Sequence, residues 1–311
     1  MNRRNFLSIM LSSAFSENFL NKLSNSEKNI EYLSEFTFKY SICNEIFEGW
    51  SLDKISGFIK PLGYGAIEIA PYTLVENVSE LSPSKRQELK KMMVDNGIVC
   101  AGLHWLLVSP KGLHITTADK SVRKRSWEYF RRLIDFCADI GGKVMVLGSP
   151  EQRKPHGCSV EESVKNLKDG LIEIAPFAEE RNITVLLEPM VKDCLVVTSM
   201  AEAVSMIKEI NTPSIQTMMD FRQCTNDPES LDKLVHKYAQ YIKHIHTNGL
   251  DSTLPGNGST DFLPVFKALK EIYYLHWISL EVFDFSSGAE KIAREAMNHF
   301  KRLEYKTLQS K

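Results

Sequence analysis

The sequence predicts a (β/α)8 barrel (a TIM barrel) folded as a single domain. Three observations carry that expectation. Eight short apolar runs are each followed by an amphipathic helical stretch, in units of about 30–35 residues. The runs are continuously apolar rather than alternating, as suits strands buried on both faces. Polar residues gather where the runs stop, and that end of the barrel carries the site in this fold.

Residues 38–43 read as the first strand, and 52–62 as a helix ended by Gly63. Residues 66–70 form the second strand, stopped by Pro71. Ser82-Pro83 opens the next helix with proline in its first turn; it runs to about Asp95 and Gly97 closes it. Residues 98–107 read as the third strand and 121–140 as a long helix ended by Gly141-Gly142. The fourth unit is strand 144–148 and helix 159–181, and the fifth is strand 184–189 and helix 199–210. Strand 215–220 precedes a helix opened by Asp227-Pro228 and ending near Tyr241. Strand 242–246 with helix 261–272, then strand 277–283 with helix 288–303, complete eight units. A doubly wound open sheet is the rival arrangement. No GxGxxG follows the first strand and no GxxxxGK[ST] occurs, so the usual nucleotide signals are missing.

The 311 residues carry 38 basic and 39 acidic side chains, a formal net charge of −1, which argues against a strongly basic nucleic-acid binder. No apolar run reaches the roughly 18 residues of a membrane span. The six cysteines are dispersed and form no CxxC pair, so free thiols are expected and a cysteine-paired zinc site is not. Residues 1–35 differ from the rest. Arg3-Arg4 stands before a short apolar stretch, Phe6 to Phe15, as in a twin-arginine export signal, which predicts a periplasmic protein. The plainer reading is an amphipathic extension on a cytoplasmic one. The barrel is assigned to residues 36–311.

Glu68, His104-Trp105, Glu151 and Arg153, Glu188, Asp220, His246 and Glu281 all fall at or near strand ends. Singly, each has an ordinary explanation: a loop carboxylate, a salt bridge, a satisfied core histidine. Glu188, Asp220, His246 and Glu281 together do not, because each closes a strand about one unit after the last. On adjacent strands they would meet at one side of the barrel mouth. Three clustered carboxylates repel and raise one another's pKa, and a divalent cation removes that penalty. Three oxygen donors and one imidazole suit Mn²⁺, Mg²⁺ or Co²⁺ better than a closed structural zinc site.

These segments carry a resemblance to a known family. Leu187-Glu188-Pro189, Met219-Asp220-Phe221, His244-Ile245-His246 and Ser279-Leu280-Glu281-Val282-Phe283 resemble the xylose isomerase-like TIM barrels, the sugar phosphate isomerase/epimerase group. Leu254-Pro255-Gly256-Asn257-Gly258 and Asp261-Phe262 are also similar. The likeness spans about residues 36–305. It implies one divalent metal, usually Mn²⁺, held by Glu188, Asp220, His246 and Glu281. It also implies that the two glutamates act as acid and base through an enediolate on a small carbohydrate substrate, and that the chain assembles as a homo-oligomer. Glu68, His104, Trp105, Glu151, Arg153, Arg222, Gln223 and Asn248 are the expected substrate contacts. Arg153 and Arg222 are either anion binders or partners of Glu151 and Asp220.

There are departures. Ketose 3-epimerases of the group carry a histidine where this chain has Gln223, and an arginine in the loop after the seventh strand, where residues 248–252 hold none. Endonuclease IV, another member, needs a zinc cluster with extra histidines and a DNA partner; the full set is absent here, and no nucleic-acid partner is expected. Two alternatives to an isomerase stand beside it: a metal-dependent lyase or deglycosidase acting on a keto-sugar glycoside, and a non-catalytic sugar-binding barrel.

Overall fold

The computed structural model describes residues 36–190, 194–250 and 254–309. Among them are eight strands: β1 (Lys39–Cys43), β2 (Ala66–Ile69), β3 (Val99–Leu103), β4 (Val144–Leu147), β5 (Thr184–Leu187), β6 (Ile215–Asp220), β7 (Ile242–Thr247) and β8 (Trp277–Leu280). They pair in chain order, all parallel, and β8 returns to β1 with Lys39 opposite Trp277 and Ser41 opposite Ser279. The closed barrel excludes the doubly wound rival, whose sheet keeps two free edges. The twin-arginine reading falls on residues 1–35, outside the described residues. No helix among the described residues is long and apolar enough to cross a membrane.

Among the described residues, eight longer helices follow the strands: α1 (Leu52–Ile59), α2 (Pro83–Asp95), α3 (Lys120–Asp139), α4 (Val160–Glu180), α5 (Met200–Ile210), α6 (Leu231–Tyr238), α7 (Leu263–Glu271) and α8 (Ala289–Gln309), with one further helical turn at Pro150–Arg153 after β4. Five begin on a side chain that accepts a backbone N–H of the first turn: Ser51, Ser82, Asp119, Ser159 and Ser199. Each amphipathic helix buries its apolar stripe on the barrel. In α3 that stripe is Trp127, Phe130, Leu133, Ile134 and Cys137. All six cysteines are free.

Several boundaries differ from the sequence reading, two of them at the site; α8, for one, runs on to Gln309. β3 stops at Leu103 instead of residue 107, because Trp105 takes a left-handed backbone (φ 51) that turns the chain out of the sheet. β8 stops at Leu280, so Glu281 stands just past the sheet. α6 begins at Leu231, since a 3-10 turn at Gln223–Asn226 occupies the chain after β6.

Candidate active site

The barrel brings Glu188, Asp220, His246 and Glu281 to its C-terminal mouth, all four buried. Asp220 pairs with His246 across β6 and β7, and His246 pairs with Ser279 across β7 and β8. The Glu188 amide donates to the Leu147 carbonyl and the Glu281 amide to the Thr247 carbonyl, so both glutamates continue the sheet for one more residue. One donor atom each from Glu188, Asp220 and His246 lie within 4.8 Å of one another. His246 Nδ1 lies 3.2 Å from Glu281 Oε2 and 4.0 Å from Asp220 Oδ2.

The electrostatics follow from crowding. Burial, then the carboxylates of Glu281 and Asp220, push Glu188 up to about 8. Burial and Glu281 push Asp220 up to about 6. Burial also opposes the charge on Glu281, yet the facing His246 outweighs it and holds that carboxyl below its usual range. Burial would lower His246, but Glu68 and Glu281 hold the imidazole protonated well above its ordinary range. In the metal-free chain, protons therefore stand where a cation would otherwise neutralise these carboxylates.

A polar frame holds the cluster. The Gln223 amide donates to Asp220 Oδ1 at 2.8 Å, and Asn248 Nδ2 donates to Asp220 Oδ2 at 2.9 Å. Asn248 Oδ1 in turn accepts the Arg222 amide at 3.1 Å. Gly148 makes room for Glu188: a Cβ there would sit 2.2 Å from its Oε2. Beside Glu281, Glu45 Oε2 lies 2.8 Å from His104 Nε2, both buried. Burial lowers His104, but Glu45 more than offsets it and the imidazole is pushed up to about 9.

A cavity of about 270 Å³ opens above the cluster. Glu188 and Glu281 reach its wall, with His104, Trp105, Arg222 and Gln223 among the other anticipated residues. Trp105 meets Phe283 edge-on at 6.5 Å, and the Arg222 guanidinium lies 5.3 Å over the Phe283 ring. Arg222 thus packs on an aromatic face.

Four expected contacts lie outside that wall. Glu68 is fully buried beneath it, against His244 and His246. Glu151 is exposed and pairs with Lys154. Arg153 is fully buried; its Nη1 donates to the Leu147 carbonyl at 2.8 Å and its Nε to Cys194 Sγ, which ties down the end of β4. Asn248 serves Asp220, as above. Neither arginine takes Glu151 as its partner.

Sequence reading missed Ser149, Phe283, Glu45 and His244 as site residues. Ser149 lines the cavity in a left-handed conformation (φ 42), and its buried hydroxyl has no hydrogen-bond partner. Its place right after β4 was the available signal. Glu45 carried none, and His244 entered only as part of the His244-Ile245-His246 segment, because only the closed barrel sets them against His104 and Glu68.

The residues present fit a divalent cation. Nδ1 of His246 is buried without a hydrogen-bond partner and faces acceptor-only carboxylates, while Nε2 lies 3.1 Å from both oxygens of Glu68. A cation would take the place of the proton on Nδ1, and that imidazole nitrogen with the neighbouring carboxylates is a donor set for Mn²⁺, Mg²⁺ or a similar ion. Cys43 is also near, within 4.8 Å of donors from Glu45, His104 and Glu281. Burial and the carboxylates of Glu45, Glu68 and Glu281 push its thiol well up, which keeps it a poor ligand.

Comparison with known proteins places the chain among sugar epimerases by similarity. It is 23% identical over 239 residues to the D-psicose 3-epimerase of Agrobacterium fabrum, covering 74% of this chain and 78% of that one. It is 23% identical over 235 residues to the 3-dehydro-D-guloside 4-epimerase of Escherichia coli, covering 72% and 84%. A crystal structure of D-psicose 3-epimerase in the presence of D-fructose superposes with a TM-score of 0.75 at 18% identity, over 86% of this chain and 99% of that one. Residues 57–303 match the family whose description is xylose isomerase-like TIM barrel. With the closed barrel and a match over most of its length, the chain belongs to the xylose isomerase-like TIM barrel family.

Proposed function

We propose that the protein is a divalent-metal-dependent isomerase or epimerase of a small sugar or sugar derivative. The observation that carries this is the pairing of two glutamates, Glu188 and Glu281, that border one cavity, Glu188 grouped with Asp220 and His246 and Glu281 3.2 Å from His246 Nδ1. Similarity to epimerases of D-psicose and of 3-dehydro-D-guloside supports the reaction class.

Glu188, Asp220, His246 and Glu281 would hold the ion, with Mn²⁺ favoured and Mg²⁺ or Co²⁺ able to serve. When bound, it supplies Lewis-acid polarisation of the substrate carbonyl. The side chains do the rest. One glutamate accepts the proton from the carbon beside the carbonyl, and the C–H electron pair moves into the bond toward that carbonyl. The other glutamate delivers a proton to complete the inverted or isomerised product. Asp220 and His246 anchor, and Asn248 and Gln223 keep Asp220 in place. Trp105 and Phe283 offer apolar surface for a sugar face, with Ser149, His104 and Gln223 placed for its hydroxyls.

The test is metal content by mass spectrometry after Mn²⁺ loading, joined to a screen of ketoses and keto-glycosides for deuterium uptake beside the carbonyl. One ion per chain, reduced in His246→Ala, and exchange abolished in Glu188→Gln and Glu281→Gln are the expected results. Wild-type exchange rates in both glutamine variants would remove the proton-transfer mechanism. Absence of bound metal from the wild type would remove the metal.

A further inference from the structure

Glu68, on β2, is a charged side chain with no surface exposure. Its Oε2 lies 2.7 Å from His244 Nε2, and both of its oxygens lie 3.1 Å from His246 Nε2. β2 and β7 are not neighbours, so these side chains meet across the barrel interior. His244 and His246 alternate along β7 and therefore face the same way. The interior of such barrels is ordinarily filled by Val, Ile and Leu. A buried carboxylate with imidazole partners gives no stability advantage over that filling, so its retention calls for another reason.

We propose that Glu68 is a positioning residue that fixes the cation-facing side of His246. An ionised carboxylate only accepts, so the nitrogen beside it must be the N–H. Glu68 therefore keeps one His246 proton on Nε2, so that the proton an ion would displace is the one on Nδ1, which is turned toward Asp220 and Glu281. Nδ1 is the nitrogen that lies 3.2 Å from Glu281 Oε2 and has no hydrogen-bond partner. Outer carboxylates of this kind orient a ligand imidazole and raise its basicity. The arrangement calls for a divalent ion that accepts nitrogen and oxygen together. Glu68 thus acts through His246 and touches neither the substrate nor the ion. The inference rests on the cation site proposed above.

The experiment is titration of the wild type and Glu68→Gln with Mn²⁺, together with ¹⁵N spectra of the histidines in the Zn²⁺-loaded wild type, His246 being assigned by its loss in His246→Asn. A glutamine can offer its NH₂ group to the ring and so releases the proton to either nitrogen. Mn²⁺ affinity is expected to fall 10–100-fold in Glu68→Gln, and the loaded wild type should keep its His246 proton on Nε2. A folded Glu68→Gln that binds Mn²⁺ as tightly as wild type overturns the proposal, and so does a His246 proton found on Nδ1. If Glu68→Gln does not fold, the wild-type spectrum alone decides. A wild type that takes up neither ion overturns the cation site itself, an outcome distinct from equal affinities in the two proteins.

Discussion

Replacing Gly148 with alanine should disable the site while leaving the barrel standing. A Cβ at this position would lie 2.2 Å from Glu188 Oε2 and 3.4 Å from its carboxyl carbon. An ordinary contact starts near 3.4 Å, so the oxygen must retreat by roughly 1 Å. The obstructing atom ends a rotatable side chain, so the loss of stability should stay near the low end of overpacking, about 1 kcal/mol. The functional effect should be much larger, because a displacement of about 1 Å in a reacting group costs on the order of 100-fold. The assay is deuterium uptake beside the carbonyl of a turned-over ketose, with Mn²⁺ affinity and urea unfolding on the same protein. Gly57→Ala is the control: its Cβ would meet only Asn96 Oδ1 at 3.5 Å within α1, and it should be neutral or slightly stabilising. Wild-type exchange in Gly148→Ala would show that the Glu188 carboxylate position does not matter, and would refute its assigned role.

Other outcomes follow from the same structure. Glu188 and Asp220 are pushed up, by burial and neighbouring carboxylates, to about 8 and about 6 from ordinary values of 4.5 and 3.8. The folded metal-free chain thus holds protons that the unfolded chain releases, and its stability should fall as pH rises between those limits. Melting temperatures of the chelator-treated protein from about pH 5 to about pH 8 measure this; a flat profile would contradict it. Mn²⁺ at about 100 times its Kd should add about 2.7 kcal/mol at neutral pH, and thermal shift on His246→Ala should show most of that gain gone. Arg153→Met removes the charged donor from the Leu147 carbonyl, which keeps only the Glu188 amide, and should cost about 1–3 kcal/mol in urea unfolding. An unchanged midpoint would return Arg153 to ligand binding. Gly170→Ala places a Cβ 2.0 Å from the Trp127 ring where α4 crosses α3. The overpacking of about 1–3 kcal/mol should exceed the helix-propensity gain of about 1 kcal/mol, giving a net loss by calorimetry.

The barrel was legible because its signals are local. Strands buried on both faces must be apolar throughout, and the serines and aspartate that cap five helices act within one turn of chain. The Glu188, Asp220, His246 and Glu281 series was legible for a related reason: in a parallel barrel, chain position after each strand maps directly onto position around the mouth. What stayed hidden depends on contacts across the barrel or between loops. Glu151 and Arg153 stand two residues apart after the same strand, yet one faces solvent beside Lys154 and the other is buried on the Leu147 carbonyl. Composition and spacing treat them alike; the direction of one helical turn separates them.

The amino-acid sequence by itself determined the eight units, their order, and the four residues that crown strands five to eight, because periodicity and strand-end polarity are properties of short segments. Only the tertiary structure decided that Glu68 meets His246 across the barrel interior, that Glu45 pairs with His104, and that Ser149 turns an unpartnered hydroxyl toward the cavity. Those relations join β2 to β7 and β1 to β3, strands that are not paired neighbours, so they exist only once the sheet has closed.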